Sequence, residues 1–145
     1  MILPAGELSY FYKNRISMIT HTTEGVKIIV ETFYQSEYSF PSNSDYSFAY
    51  RITIENMSTH TVRLLRRHWE ISDSNGTVRI VEGEGVVGQQ PVIEPDDFHE
   101  YVSGCSLKSE IGKMSGYYIM ERQLDGKLFK VHIPEFLLVA PFKLN

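Results

Sequence analysis

The sequence predicts an all-β domain, most simply a two-sheet β-sandwich of the immunoglobulin and fibronectin type III kind with about seven to nine strands. Three observations lead to this fold class. Several short segments alternate apolar and polar residues with a period of two, Asn-Gly and Asp-Gly pairs separate some of them, and no segment of ten or more residues repeats apolar positions at helical spacing.

The strands follow from this alternation, which is clearest where Phe48, Tyr50, Ile52 and Ile54 take turns with polar or small residues. A change of parity after Leu64 predicts a bulge or bend. Tight turns are predicted at residues 74–76 and 125–126, because Asn and Gly tolerate positive φ. The predicted strands cover residues 26–33, 47–55, 61–71, 77–82, 98–103, 114–123, 127–133 and 136–140.

The domain is predicted to span residues 18–145, after an N-terminal extension of residues 1–17 with no sustained period. We expect that extension to be loosely ordered. One domain of this size buries a sufficient core without covalent cross-links.

Composition favours a cytoplasmic protein. Cys105 is the single cysteine, so no intramolecular disulfide can form, and neither a signal peptide nor an apolar run long enough to cross a membrane is present. The net charge of −4 opposes general nucleic-acid binding, which depends on many Lys and Arg contacts to phosphate. Residues 60–68 form one locally basic stretch.

The segment 83–88 matches the G-x-G-x-x-G pattern of dinucleotide-binding proteins, but its context does not fit. That motif must open a helix, whereas Pro91 and Pro95 follow here and prevent an ordinary helix. A structural role in an irregular β connection is one interpretation. The other is a group of backbone amides that binds an anion. The candidate residues are Gly83, Glu84, Gly85, Gly88, Gln89 and Gln90.

A second candidate is the run Arg66, Arg67, His68 and Trp69. On a strand, Arg66 and His68 share one face while Arg67 and Trp69 share the other. If Trp69 points into the core, Arg67 must be buried with a partner or lie near the edge of the sheet. The alternatives are solvated arginines beside a core tryptophan and an arginine pair that binds phosphate or carboxylate.

Metal and catalytic sites have less support. The histidines and the cysteine show no zinc-binding spacing. Asp96 and Asp97 are weak candidates for a hard cation, and a solvated turn is the alternative. Cys105 lacks an assignable base, so a buried apolar role is favoured. We expect no cofactor and no enzymatic activity.

Several longer strings resemble the bacterial ApaG family over residues 18–141. The most specific are RRHW (66–69) and GEGVVGQQP (83–91), and the others are YRITIEN (50–56), SGCSL (103–107), GKMSGYYIM (112–120) and VHIPEF (131–136). The resemblance implies a fibronectin type III-like sandwich and an indirect link to cobalt and magnesium efflux. The sequence departs from the family's pattern at Asp96-Asp97 and at Ser109-Glu110, and both places fall in predicted turns.

Two functions are therefore expected of this sequence. The first is a non-catalytic module that binds another protein through an edge strand or an exposed face. The alternative is a small-anion sensor that binds a nucleotide pyrophosphate through the 83–88 loop and the arginines. A divalent cation is a less favoured candidate ligand. No membrane association is expected. A homodimer through unpaired strand edges is compatible with the fold.

Overall fold

The computed structural model describes residues 15–141, which contain nine β-strands arranged in two antiparallel sheets. The first sheet has the order β1-β2-β3-β7 and the second has the order β5-β4-β8-β9, with the short β6 beside β4. The strands are β1 (Arg15–Thr23), β2 (Val26–Tyr34), β3 (Tyr46–Asn56), β4 (Val62–Asp73), β5 (Val78–Glu84), β6 (Val92–Ile93), β7 (Phe98–Leu107), β8 (Ile111–Arg122) and β9 (Leu128–Val139). The predicted all-β, two-sheet class is confirmed.

The core lies between the inner faces of the two sheets, because alternate residues of each strand point inward. On β3 the inward residues include Phe48, Ile52 and Ile54, each with no exposed surface. Trp69 of β4 is 2% exposed and packs edge-on against Tyr50, with ring centroids 5.4 Å apart. Trp69 is therefore a core residue, and the inward face of β4 continues to Arg67.

Most strand predictions match the structure, including the bulge, which lies between Leu64 and Arg66 in the pairing of β4 with β8. Three details were wrong, the first being that the short strand β6 was not predicted. The strands predicted at 127–133 and 136–140 form one strand, β9, which passes through Pro134 because β9 is an edge strand and has a register shift opposite residues 114–116. The strand β1 was not predicted, and residues 15–17 belong to it, while the rest of the N-terminal extension lies outside the described residues.

The two sides of the sandwich differ. On one side the sheets approach each other, and the His132 amide of β9 donates to Thr23 Oγ1 of β1 at 3.3 Å. On the other side lie β5 and β7, the remaining edge strands. Arg79 of β5 bridges them at one end by donating to the Ser106 carbonyl at 2.6 Å. We call this side the open edge, since within residues 15–141 no strand pairs with the outer edge of β5 or of β7.

Between residues 15 and 141 the structure contains no helix with the length and hydrophobicity needed to cross a membrane.

Candidate functional site

A cleft of about 400 Å³ opens between the two sheets at the open edge. The first sheet contributes Tyr50 and residues 101–103, and β4 contributes Arg67 and Trp69. The other wall is the end of β5 and the loop after it, through Glu84 and residues 86–88. The cleft therefore brings together the two sequence motifs singled out above.

Arg67 is the basic side chain of this cleft. Its Nη1 donates to the carbonyl oxygens of Glu84 and Gly85, both at 3.0 Å, which fixes the guanidinium against the end of β5. Among the described residues, Nε and Nη2 of Arg67 have no hydrogen-bond partner. The side chain is held in place while part of its donor capacity remains available to a ligand.

Gly83 makes this position of Arg67 possible. The two residues pair directly across β4 and β5, and a Cβ atom at Gly83 would lie 2.8 Å from Arg67 Nη1, 2.9 Å from Nη2 and 3.0 Å from Cζ. Real Cβ atoms do not approach other atoms this closely. The first glycine of the motif thus allows the guanidinium to lie flat against the backbone of β5.

The other two glycines of the motif shape a tight β-turn. Val87 and Gly88 have φ of 47° and 74°, and Val86 and Gln89 exchange two backbone hydrogen bonds of 2.8 and 3.0 Å. A Cβ at Gly85, where φ is 63°, would collide with the Gln89 carbonyl. Because the amides of Val86 and Gln89 are used inside the turn, and that of Gly85 donates to Leu65, these three amides are not available to an anion.

The bulge in β4 anchors the loop. The Leu65 carbonyl accepts both the Gly85 amide at 2.8 Å and the Gln90 side-chain amide at 2.9 Å. Arg63 in turn donates to the carbonyl and the side chain of Gln90, each at 3.3 Å. Gln90 therefore holds the loop against β4, while Gln89 closes the turn with Val86.

Tyr50 and Tyr101 line the cleft, and the fully buried Tyr118 bonds to Tyr101. Burial raises the pKa of Tyr50, whose hydroxyl hydrogen-bonds with Ser103. Burial also raises the pKa of Tyr101 and of Tyr118, whose hydroxyls bond to each other, and the Arg67 charge opposes both shifts in part. All three groups stay protonated at neutral pH. The sequence alone does not predict a role for these tyrosines, because β3, β7 and β8 are brought together only by the tertiary fold.

The remaining motif residues lie on the opposite face of the second sheet. Arg66 is exposed there, and His68 Nδ1 lies 2.5 Å from Glu82 Oε1. The His68 ring stacks on the Tyr117 ring with centroids 4.7 Å apart, and Lys130 Nζ lies 4.3 Å from the centroid of the Tyr117 ring. As the strand parity predicts, Arg66 and His68 are separated from Arg67, so the two arginines do not form a pair around one ligand.

Asp96 and Asp97 occupy a turn before β7. Asp96 has a φ of 66°, and Asp97 Oδ1 accepts the Phe98 amide at 2.8 Å. Among the described residues, no three His, Cys, Asp or Glu side chains are grouped as metal ligands. Asp96 and Asp97 are both exposed in this turn.

Comparison with known proteins identifies the family. Residues 36–122 match the family model of the ApaG domain. The chain belongs to the ApaG family. It is 44% identical over 124 residues to Protein ApaG of Brucella canis and 47% identical over 124 residues to that of Brucella anthropi, in each case over 86% of this chain and 95% of the relative. A crystal structure from Bordetella pertussis, described as an ApaA protein, superimposes with a TM-score of 0.78 at 40% identity over 85% of this ApaG chain and 98% of its own.

Proposed function

We propose that this ApaG domain is a non-catalytic binding domain whose ligand places one negatively charged group against Arg67. The observation that carries the proposal is the fixed guanidinium, held by the carbonyls of Glu84 and Gly85 with two of its nitrogens still unpaired among the described residues. A planar guanidinium binds a carboxylate or phosphate oxygen pair with both charge and direction.

The charge of the cleft limits the charge of the ligand that it can bind. Among the described residues that line the cleft, Arg67 alone carries a positive charge. Its neighbour Arg66 lies on the opposite face of the sheet. One cation offsets one negative charge. A nucleotide pyrophosphate carries several charges and needs more cations than this cleft supplies, so we favour a singly charged group.

The tyrosines support binding rather than catalysis. Because burial raises the pKa values of Tyr50 and Tyr101, their hydroxyls remain neutral hydrogen-bonding groups and do not act as bases near neutral pH. A cytoplasmic location and an indirect link to cobalt and magnesium homeostasis remain predictions of the sequence.

A titration followed by NMR tests the proposal, with N-acetylvaline and inorganic phosphate as probes. We expect both to shift signals of the cleft residues in the wild type, and Arg67→Gln to weaken binding by about ten-fold or more, because a hydrogen-bonded charge pair is lost. Arg66→Gln is the matched control, since it removes the neighbouring charge from the opposite face. The proposal fails if neither probe shifts the cleft signals, or if the two variants bind equally well.

A further inference from the structure

We propose that the Arg67 cleft and the free edge of β5 together bind the C-terminal tail of a partner protein in an extended conformation. The inference rests on the function proposed above and specifies its ligand. The carboxylate that Arg67 binds is the α-carboxylate of the tail, and the preceding residues add a strand to β5.

The strand β5 has the surface that strand addition needs. It is an edge strand of seven residues, and all of them except Gly83 are exposed. Val78 and Ile80 are 57% and 52% exposed, and they lie on the face that also carries Glu82. An exposed edge with apolar side chains is unusual, because unpaired backbone groups invite pairing with another chain.

The position of Arg67 fixes the direction of the bound tail. Its guanidinium lies against Gly83 and bonds to the carbonyls of Glu84 and Gly85, so the positive charge is at the C-terminal end of β5. A tail whose carboxylate meets Arg67 and whose earlier residues extend toward Val78 therefore lies parallel to β5.

The cleft also explains why the charge should be at the end of a chain. The tight turn at residues 86–89 follows directly after β5, and residues 86–88 of this turn line the cleft together with Arg67. A tail can end here, whereas an internal aspartate or glutamate would require the chain to pass the turn. Among the residues that line the cleft, Val87 is 53% exposed and offers an apolar contact to the last residue. We therefore infer that the last residue of the tail is apolar.

The charges on β5 favour the same class of tail. The side chains of Glu82 and Glu84 point to the outer face of the second sheet, because Gly83 between them faces inward. They would therefore lie next to the outward side chains of an added strand. Like charges opposite each other in a sheet are unfavourable. A tail with neutral or basic residues before its carboxylate fits this edge better than an acidic one.

The test compares three probes by NMR titration: acetyl-Lys-Thr-Val-Thr-Val with a free carboxylate, the same peptide as its C-terminal amide, and N-acetylvaline. We expect the free pentapeptide to bind at least about ten-fold more tightly than N-acetylvaline, because strand pairing is added, and the amide to bind at least about ten-fold more weakly than the acid. Bound pentapeptide should slow hydrogen exchange of the β5 amides and leave that of β1, on the other side of the sandwich, unchanged.

Orientation is tested with a spin label on the N-terminus of the pentapeptide. Parallel addition predicts stronger broadening of signals near Val78 than near Gly85. The inference is overturned if the amide binds as well as the acid, if the pentapeptide is no tighter than N-acetylvaline, or if broadening is strongest near Gly85. In all three cases a response of the cleft to N-acetylvaline leaves the proposed function intact. A homodimer through β5 that the pentapeptide does not compete with also overturns the inference.

Discussion

Replacement of Gly83 by alanine should separate binding from folding. The new Cβ would lie 2.8–3.0 Å from the Arg67 guanidinium, so the guanidinium must leave its place against β5. The two hydrogen bonds from Nη1 to Glu84 and Gly85 are then lost. Each bond from a charged donor contributes about 1.5–3 kcal/mol when fully buried, but this half-buried group regains water, so we expect a total loss of about 1 kcal/mol.

A second effect opposes that loss. Alanine restricts the unfolded chain more than glycine does and favours a strand by about 0.5 kcal/mol. The net change in the free energy of unfolding should therefore be about 0.5 kcal/mol, which lowers the melting temperature of a domain of this size by roughly 1–2 °C. Affinity for N-acetylvaline should fall about ten-fold, as in Arg67→Gln.

Urea unfolding and NMR titration of the same variant measure both quantities. Gly104→Ala is the matched control, because this glycine also lies in an edge strand and its added Cβ would have only one close neighbour, the Phe48 carbonyl at 3.4 Å. We expect Gly104→Ala to bind like the wild type. Wild-type affinity in Gly83→Ala, or a loss of stability above about 3 kcal/mol, would refute the reasoning.

Three further outcomes follow from the same structure. Tyr118→Phe should lower the free energy of unfolding by about 1–3 kcal/mol, because the buried Tyr101 hydroxyl loses its partner, and adding Tyr101→Phe should recover part of that loss in a double-mutant cycle. Gly116→Ala should destabilise the fold by more than about 3 kcal/mol in urea unfolding, since its Cβ would collide with the His68 carbonyl between two central strands; a mild effect would contradict the pairing. Burial raises the pKa of the Cys105 thiol, so iodoacetamide at pH 8 should react far more slowly with the native protein than with the protein in urea, and the free energy of unfolding should fall as pH rises above the unfolded thiol pKa of about 8.5.

Local pattern predicted much of the fold. Alternation along β3 identified the inward residues Phe48 to Ile54, and the parity change located the bulge before Arg66. Strand parity also separated Arg67 from Arg66 correctly. These features depend only on neighbours in the chain, so periodicity and turn chemistry are sufficient to predict them.

Features that depend on distant contacts were not predictable. The buried ion pair between Glu31 and Arg51, with bonds of 2.9 and 2.8 Å, joins β2 and β3 on an outer face where alternation indicates solvent. The cleft combines Tyr50 with Tyr101 of β7, a strand about 50 residues later, and the sequence gives no signal for that pairing. The role of Gly83 likewise depends on which residue of β4 lies opposite it.

The most direct test of the account is a ¹H–¹⁵N spectrum of the arginine Nε–Hε groups during titration with the free pentapeptide. Arg67 reaches the cleft while Arg66 and Arg63 lie on the other face of the second sheet. We predict that the Arg67 signal shifts to saturation and that the signals of Arg66 and Arg63 stay in place. Saturable binding that leaves the Arg67 signal unchanged would contradict the assignment of the cleft as the binding site.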